Sequence, residues 1–230
     1  HLLPKGADLR QLKLEVRRDG GQTTTVTVEK LTLASKEGEQ VFAVSAVGAV
    51  DQIDFDLSGR YDASPPPAGA AAGASIELQG QIAGAKVSGK GSVGELDGTR
   101  SVELRVQATA PSLHAFAKAA ERDLPKLGPV RASALLKLDG DIFGVSDLDL
   151  AVGDRKQAWL ELTGYAHNVT EQRDFSLKAD FGVADVRALG PLVGNPPDIG
   201  KVAGKATVAD VDGTPGIEAF TLEGGRPGVF

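Results

Sequence analysis

Apolar and polar residues alternate one for one along most of this chain, and that period of two constrains its fold more than any other feature. Successive side chains of a strand point to opposite faces, so strict alternation describes a strand with one face buried and one in water. Residues 102–110 carry it clearly: Val102, Leu104, Val106, Ala108 and Ala110 are apolar, and Glu103, Arg105, Gln107 and Thr109 separate them. Phe175, Leu177, Ala179, Phe181 and Val183 alternate with Ser176, Lys178, Asp180 and Gly182. Ile53, Phe55, Leu57, Gly59 and Tyr61 do the same, as do shorter stretches at Leu12–Val16, Val26–Val28, Ile76–Ile82 and Ala158–Gly164. Turn chemistry punctuates them at Asp19-Gly20-Gly21, Asp97-Gly98 and Asp139-Gly140. The expected fold is mainly β, a repeating antiparallel β-sheet or β-groove with one or two short helices between repeats.

Two stretches break the alternation. Leu113, Phe116, Ala117, Ala120 and Leu124 fall on one stripe at helical spacing, with Ser112 as N-cap and Pro125 as the stop. A shorter helix is expected at Val186–Leu189, before Gly190-Pro191. Asp62–Gly73 is almost entirely Ala, Gly and Pro and reads as a linker. Shifting the chain by 72 positions lays Gly128–Leu150 on Gly200–Leu222: Gly128 meets Gly200, Val130 meets Val202, Gly144 meets Gly216, Leu148 meets Phe220 and Leu150 meets Leu222. Pro residues lead these blocks at Pro125 and Pro196-Pro197, and again at Pro4 and Pro65-Pro66-Pro67. Four Pro-led units are therefore expected, 3–62, 63–122, 123–194 and a truncated 195–230, stacked as a quasi-linear array.

Composition narrows the function classes. The net charge of −6 lacks the basic face that nucleic acid or anionic lipid headgroups require. Zero Cys removes disulfides, thiolate metal sites and cysteine nucleophiles. No apolar run approaches the roughly 18 residues of a membrane-spanning helix, and the first residues do not read as a signal peptide. The absence of Met reads as a segment of a longer protein, with His1 a tag remnant.

Catalytic chemistry has little to stand on. His114 lies off the apolar stripe, and His167 lies in a polar row with Trp159, Glu161, Thr163 and Tyr165, without a second metal ligand in view. That aromatic row reads as a solvent-side structural pair. Gly84–Gly91 nearly spells a phosphate-binding loop, but Gly91 stands where a Ser or Thr must hold magnesium, and strand residues flank it. Gly89 and Gly91 read instead as small residues on a strand face or at a bulge. Asp139 and Asp141 read as turn builders, and Asp147 and Asp149 as the polar row of a strand, without calcium-loop spacing. Asn168-Val169-Thr170 is a glycosylation sequon that matters only in a eukaryotic secretory route. The expectation is a protein without enzymatic activity, catalytic residues, metal or cofactor.

The order of elements resembles the AsmA family of bacterial envelope proteins. The resemblance rests on Ala110–Ala117 running into Leu124-Pro125-Lys126-Leu127-Gly128-Pro129-Val130, then Gly144–Leu150, then a strand through Leu160, Leu162 and Gly164, then Asp174–Leu177 leading to Asp185-Val186. It covers residues 100–222 well and 3–100 loosely. It implies a periplasmic repeating β-groove, in a parent anchored in the inner membrane, that guides phospholipid between the inner and outer membranes. The implied partners are phospholipid acyl chains and other envelope proteins, with no nucleic acid. The groove candidates are then the apolar rows: Val102, Leu104, Val106, Leu160, Leu162, Phe175, Leu177 and Phe181. The rival reading is a structural or adhesive β-repeat of a secreted bacterial protein, whose apolar faces meet each other in a closed sandwich. Alternation alone suits either an open groove or a closed sandwich.

Overall fold

The structure is a computed structural model and describes residues 6–17, 23–35, 40–51, 53–64, 73–96, 99–116, 127–189, 194 and 200–225. Its strands are β1 (Gly6–Arg17), β2 (Thr23–Ala34), β3 (Val41–Val50), β4 (Ile53–Asp62), β5 (Gly73–Ile82), β6 (Ala85–Leu96), β7 (Thr99–Ala110), β8 (Val130–Asp139), β9 (Ile142–Asp154), β10 (Ala158–Asn168), β11 (Arg173–Val183), β12 (Val202–Val211) and β13 (Thr214–Gly224). Each strand hydrogen-bonds to the strands before and after it in the chain, so the sheet order is the sequence order. The fold is mainly β and repeating, as the alternation requires. The chain divides into two compact units, His1–Leu104 and Arg105–Phe230.

Two tight hairpins carry two consecutive positive φ values with Gly at the second position. Ala83-Gly84 (52° and 77°) joins β5 to β6, and Asp212-Gly213 (52° and 81°) joins β12 to β13. Two consecutive positive φ values give the turn whose twist matches that of the flanking strands. Gly140-Asp141 joins β8 to β9 as expected, with Gly140 at 58°. The expected turns at Asp19-Gly20-Gly21 and Asp97-Gly98, and most of the Ala/Gly/Pro linker, lie outside the described residues.

The helices differ from expectation in one place. Val186–Leu189 is a short 3-10 helix, where a short helix is expected. The longer stripe begins not as an α-turn but as a 3-10 turn at Leu113–Phe116, and residues 117–126 lie outside the described residues. Both turns are tied in the same way. The Leu113 N–H donates to the Leu127 carbonyl (3.0 Å), and the Val186 N–H donates to the Gly200 carbonyl (3.3 Å). The Gly153 N–H donates to the Pro129 carbonyl and the Gly225 N–H to the Lys201 carbonyl, both at 3.0 Å. The second pair of bonds keeps the 72-residue offset, and the first pair, at the two turns, is offset by 73.

Among the described residues, register shifts mark three β-bulges, and the strict period of two fails at each. Register shifts fall between Val28 and Lys30 in β2, opposite Ser133–Leu135 in β9, and opposite Thr207/Val208 in β13. In each case two residues separate the apolar residues on either side: Val28-Glu29-Lys30-Leu31, Val145-Ser146-Asp147-Leu148 and Ile217-Glu218-Ala219-Phe220. A bulge sets two residues against one, so it returns the pattern to the same face. This corrects the expectation for Asp147. It is not an ordinary member of a polar row but a bulge residue with φ of 50°, and its carboxylate pairs with Arg105 at 2.9 Å.

Within each unit the described strands contact their hydrogen-bonded neighbours, and burial is shallow. Among the described residues the buried apolar side chains are Ala and Val: Ala74 and Ala85 in the first unit, and Ala110, Val130, Ala134, Val152, Ala158, Val183 and Ala209 in the second. A closed sandwich interior would fully bury Leu and Phe. Among the described residues no large side chain is fully buried, and the sheet is open.

Glycines let neighbouring strands and rings come close. Gly89 and Gly91 lie in β6, and a Cβ at Gly89 would stand 3.3 Å from Cδ1 of Leu104. At Gly48, buried in β3, a Cβ would strike the Thr27 carbonyl oxygen and come within 2.9 Å of Cζ of Phe55. Replacing Gly48 by Val is expected to destabilise the chain by about 1–3 kcal/mol, read by urea denaturation followed by circular dichroism; an unchanged midpoint would contradict the close approach. On the polar face of the same unit, Glu77 and Lys90 face each other across β5 and β6 at 2.6 Å. The hydrogen bond from Lys90 holds the Glu77 carboxyl below the usual glutamate range. The pair therefore contributes above that range and is lost as pH falls through the depressed value. Lys90→Met is expected to return Glu77 to the ordinary range, read by NMR titration of its carboxyl carbon.

Candidate functional site

In the second unit, register builds continuous apolar rows. Val130, Val152, Leu160, Phe181, Gly204 and Leu222 stand side by side across β8 to β13. Ala132, Leu150, Leu162, Ala179, Ala206 and Phe220 form the next row. Leu148, Gly164, Leu177 and Val208 belong to a third, and Ala166 and Phe175 pair beyond it. The bulges keep these rows on one face.

At one end of that face lies a cleft of about 490 Å³. Its floor is Leu150 and Val152 of β9, Ala158 and Leu160 of β10, and Phe181 and Val183 of β11, with Val202 of β12 beside them. Its rim comes from outside the sheet: Leu113 and Val186 of the two 3-10 turns, and Leu127 before β8. The hydrogen bonds from Leu113 to Leu127 and from Val186 to Gly200 fix those rims, so equivalent turns of two repeats enclose one hollow. Among the described residues, no charged side chain lines it. Such a surface offers dispersion and apolar burial, at roughly 0.8 kcal/mol for each methylene it takes from water. Its volume falls in the ordinary range of small-molecule clefts.

Of the groove candidates, Leu160 and Phe181 line the cleft. Leu162, Phe175 and Leu177 continue the same face away from it, all half-buried. Val102, Leu104 and Val106 lie on β7, also half-buried, and do not line it. Sequence reasoning did not select Leu113, Leu127, Leu150, Val152, Val183, Val186 and Val202. Leu150, Val183 and Val202 carried a signal in the alternation and the repeat. Leu113 carried its place on the helical stripe, Val186 the start of the shorter helix and Leu127 its place between Pro125 and Gly128, none of which says where a turn folds back.

A close packing device recurs on this face. Phe181 lies opposite Gly204, and a Cβ there would come within 2.8 Å of the ring. Large rings over cross-strand glycines gain contact area without crowding.

The opposite face is polar. A second hollow of about 580 Å³ is lined there by Gln107, Thr109, Arg131, Ser133, Asp149 and Glu161 among others. Arg155 donates to both carboxylate oxygens of Glu161 (2.8 and 2.9 Å) and stacks on Trp159 at 4.1 Å. His167 stacks on Tyr165 (4.6 Å), and its Nδ1 meets Asp174 at 2.8 Å. The row of Trp159, Glu161, Tyr165 and His167 is thus satisfied by its own neighbours. Asp139 ends β8, and Asp141 lies in the β8–β9 turn. Among the described residues, no cluster of three or more His, Asp or Glu side chains is placed to hold a metal ion.

No family model matches the chain, and neither a curated protein nor a solved structure matches it.

The rim can be tested without touching the ladder. Val186→Glu places a charge on a turn rather than in a strand. It is expected to weaken binding of the apolar dye 1-anilinonaphthalene-8-sulfonate about tenfold, an effect of roughly 1.4 kcal/mol, while the far-ultraviolet dichroism stays unchanged. Undiminished dye binding would locate the dye elsewhere.

Proposed function

We propose that this chain is a non-enzymatic AsmA-like segment of the bacterial periplasm whose apolar face carries phospholipid acyl chains between membranes. The observation that carries the reading is the apolar cleft of the second unit, continuous with rows of half-buried Leu and Phe on an open sheet. A face of that kind is costly in water unless something apolar occupies it. Acyl chains fit the requirement, because they need no hydrogen bonds and adapt to a floor of Val, Leu and Phe. A phospholipid with two sixteen-carbon chains holds roughly 25 to 30 methylenes, each worth about 0.8 kcal/mol when shielded. Shielding even part of them offsets much of the cost of leaving a bilayer. The ordering of strands and turns that resembles the AsmA family points to the same cargo.

The working residues are distributed along the face, and Leu160, Phe181, Leu162 and Leu177 are its centre. Native mass spectrometry with lipid extraction, on the chain purified from a bacterial host, is the direct test. Phospholipid is expected to co-purify and to be lost from a Leu160→Asp variant that retains its dichroism spectrum. A lipid-free wild-type chain with the same spectrum would instead favour a structural or adhesive repeat.

A further inference from the structure

The cleft between the two 3-10 turns gives a ligand little to hydrogen-bond with. Among its described lining side chains only Trp159 carries a polar atom, and Arg155 stacks on that ring at 4.1 Å. The backbone around it is spent on itself. The Ala184 N–H donates to the Gln157 carbonyl (2.6 Å), the Gly153 N–H to the Pro129 carbonyl (3.0 Å), and the two turns to Leu127 and Gly200. Three buried side chains, Val152, Ala158 and Val183, lie in its floor at 8%, 3% and 7% exposure. A charged or hydroxylated head group drawn inside would lose its water without replacement. The head of an amphiphile therefore stays outside, and only its apolar part enters.

The size of the cleft sets how much enters. Its volume is about 490 Å³. An apolar cavity of about 150 Å³ accepts benzene, so the same scaling gives the cleft room for about 18 to 20 carbons. One long acyl chain fills it. A phospholipid with two sixteen-carbon chains carries roughly 25 to 30 methylenes and exceeds it. The second chain has the open face, where Leu162 and Leu177 continue the rows half-buried.

From this we infer that the cleft is a single-chain site, which takes one unbranched acyl chain and selects it by length and not by head group. A fatty acid or a lysophospholipid is then a sufficient ligand. The inference rests on the proposed function only in taking an acyl chain as the occupant. It adds how many chains the cleft holds and what it discriminates.

The probes are fatty acids and alkyltrimethylammonium ions of matched length, from about 8 to about 22 carbons. They are titrated into the full chain by calorimetry, below their micelle concentrations and in about 0.15 M salt, which screens the net charge. Affinity is expected to rise about fourfold per added carbon, the equivalent of about 0.8 kcal/mol per methylene. It is expected to level off at about 18 to 20 carbons, at the same length for both heads. Val186→Trp, on the rim, is expected to shorten that length by roughly two to four carbons while the dichroism spectrum stays unchanged, with Val186→Phe as a milder second variant. Dioctanoyl phosphatidylcholine is expected to bind within about tenfold of the eight-carbon probes. No saturable binding by any single-chain probe, a levelling length that differs between the heads, or one unmoved by both rim variants overturns the proposal. A two-chain lipid bound more than about tenfold tighter also overturns it, and leaves phospholipid carriage standing. The expected length dependence in a chain that purifies free of phospholipid supports the site and removes the transport reading.

Discussion

The pleat of a strand allows two residues per repeat, so one extra residue turns every later side chain to the opposite face. The apolar face of this sheet depends on managing that rule across long strands. Val28 and Leu31, Val145 and Leu148, and Ile217 and Phe220 are each three positions apart, and the bulge between them keeps both partners on one side. Acidic residues lie in these bulges: Glu29, Asp147 and Glu218. Asp147 takes the left-handed backbone conformation there and reaches Arg105. Without the bulges, half of each strand would turn its Leu and Val to the polar side, and the rows from Val130 to Leu222 would break.

The rows then decide how burial is distributed. Large residues sit beside small ones, as Phe181 beside Gly204 and Phe55 beside Gly48. Among the described residues, the buried apolar side chains are all Ala or Val. The hydrogen-bonded ladder and half-covered apolar rows carry the fold together, because within each unit no second layer among the described residues hides the face. An apolar surface held open in this way is available to a ligand at no cost in unfolding. The cleft between the two 3-10 turns is the place where it is deepest.

Alternation made β4, β7 and β11 legible from their residues, and among the described residues no register shift falls within β4 or β11. Among the described residues one expected turn, Asp139-Gly140, coincides with a hairpin, whereas those at Ala83-Gly84 and Asp212-Gly213 were not expected. The bulges were not, because a spacing of three between apolar residues is also a helical spacing, and short windows do not separate the two. The stripe at Leu113–Leu124 shows the same ambiguity: its first residues form a 3-10 turn. Of the cleft, Leu160 and Phe181 were readable as members of rows. Leu113 and Val186 were not, because a residue's distance from a turn does not reveal which face the turn closes over. The hydrogen bonds of the two turns are related by 73 residues, one more than the shift that aligns β8–β9 with β12–β13.

Pairing each strand only with its chain neighbours has a kinetic consequence. Every contact in such a ladder closes a short loop, so ordering need not wait for distant segments to meet. Any hairpin can serve as a nucleus, and growth proceeds outward one strand at a time, as in a one-dimensional lattice of coupled units. Pulled from its ends, the same arrangement would yield in successive hairpin-sized steps. A molecule built this way can lengthen by duplication of a segment without redesigning what is already folded.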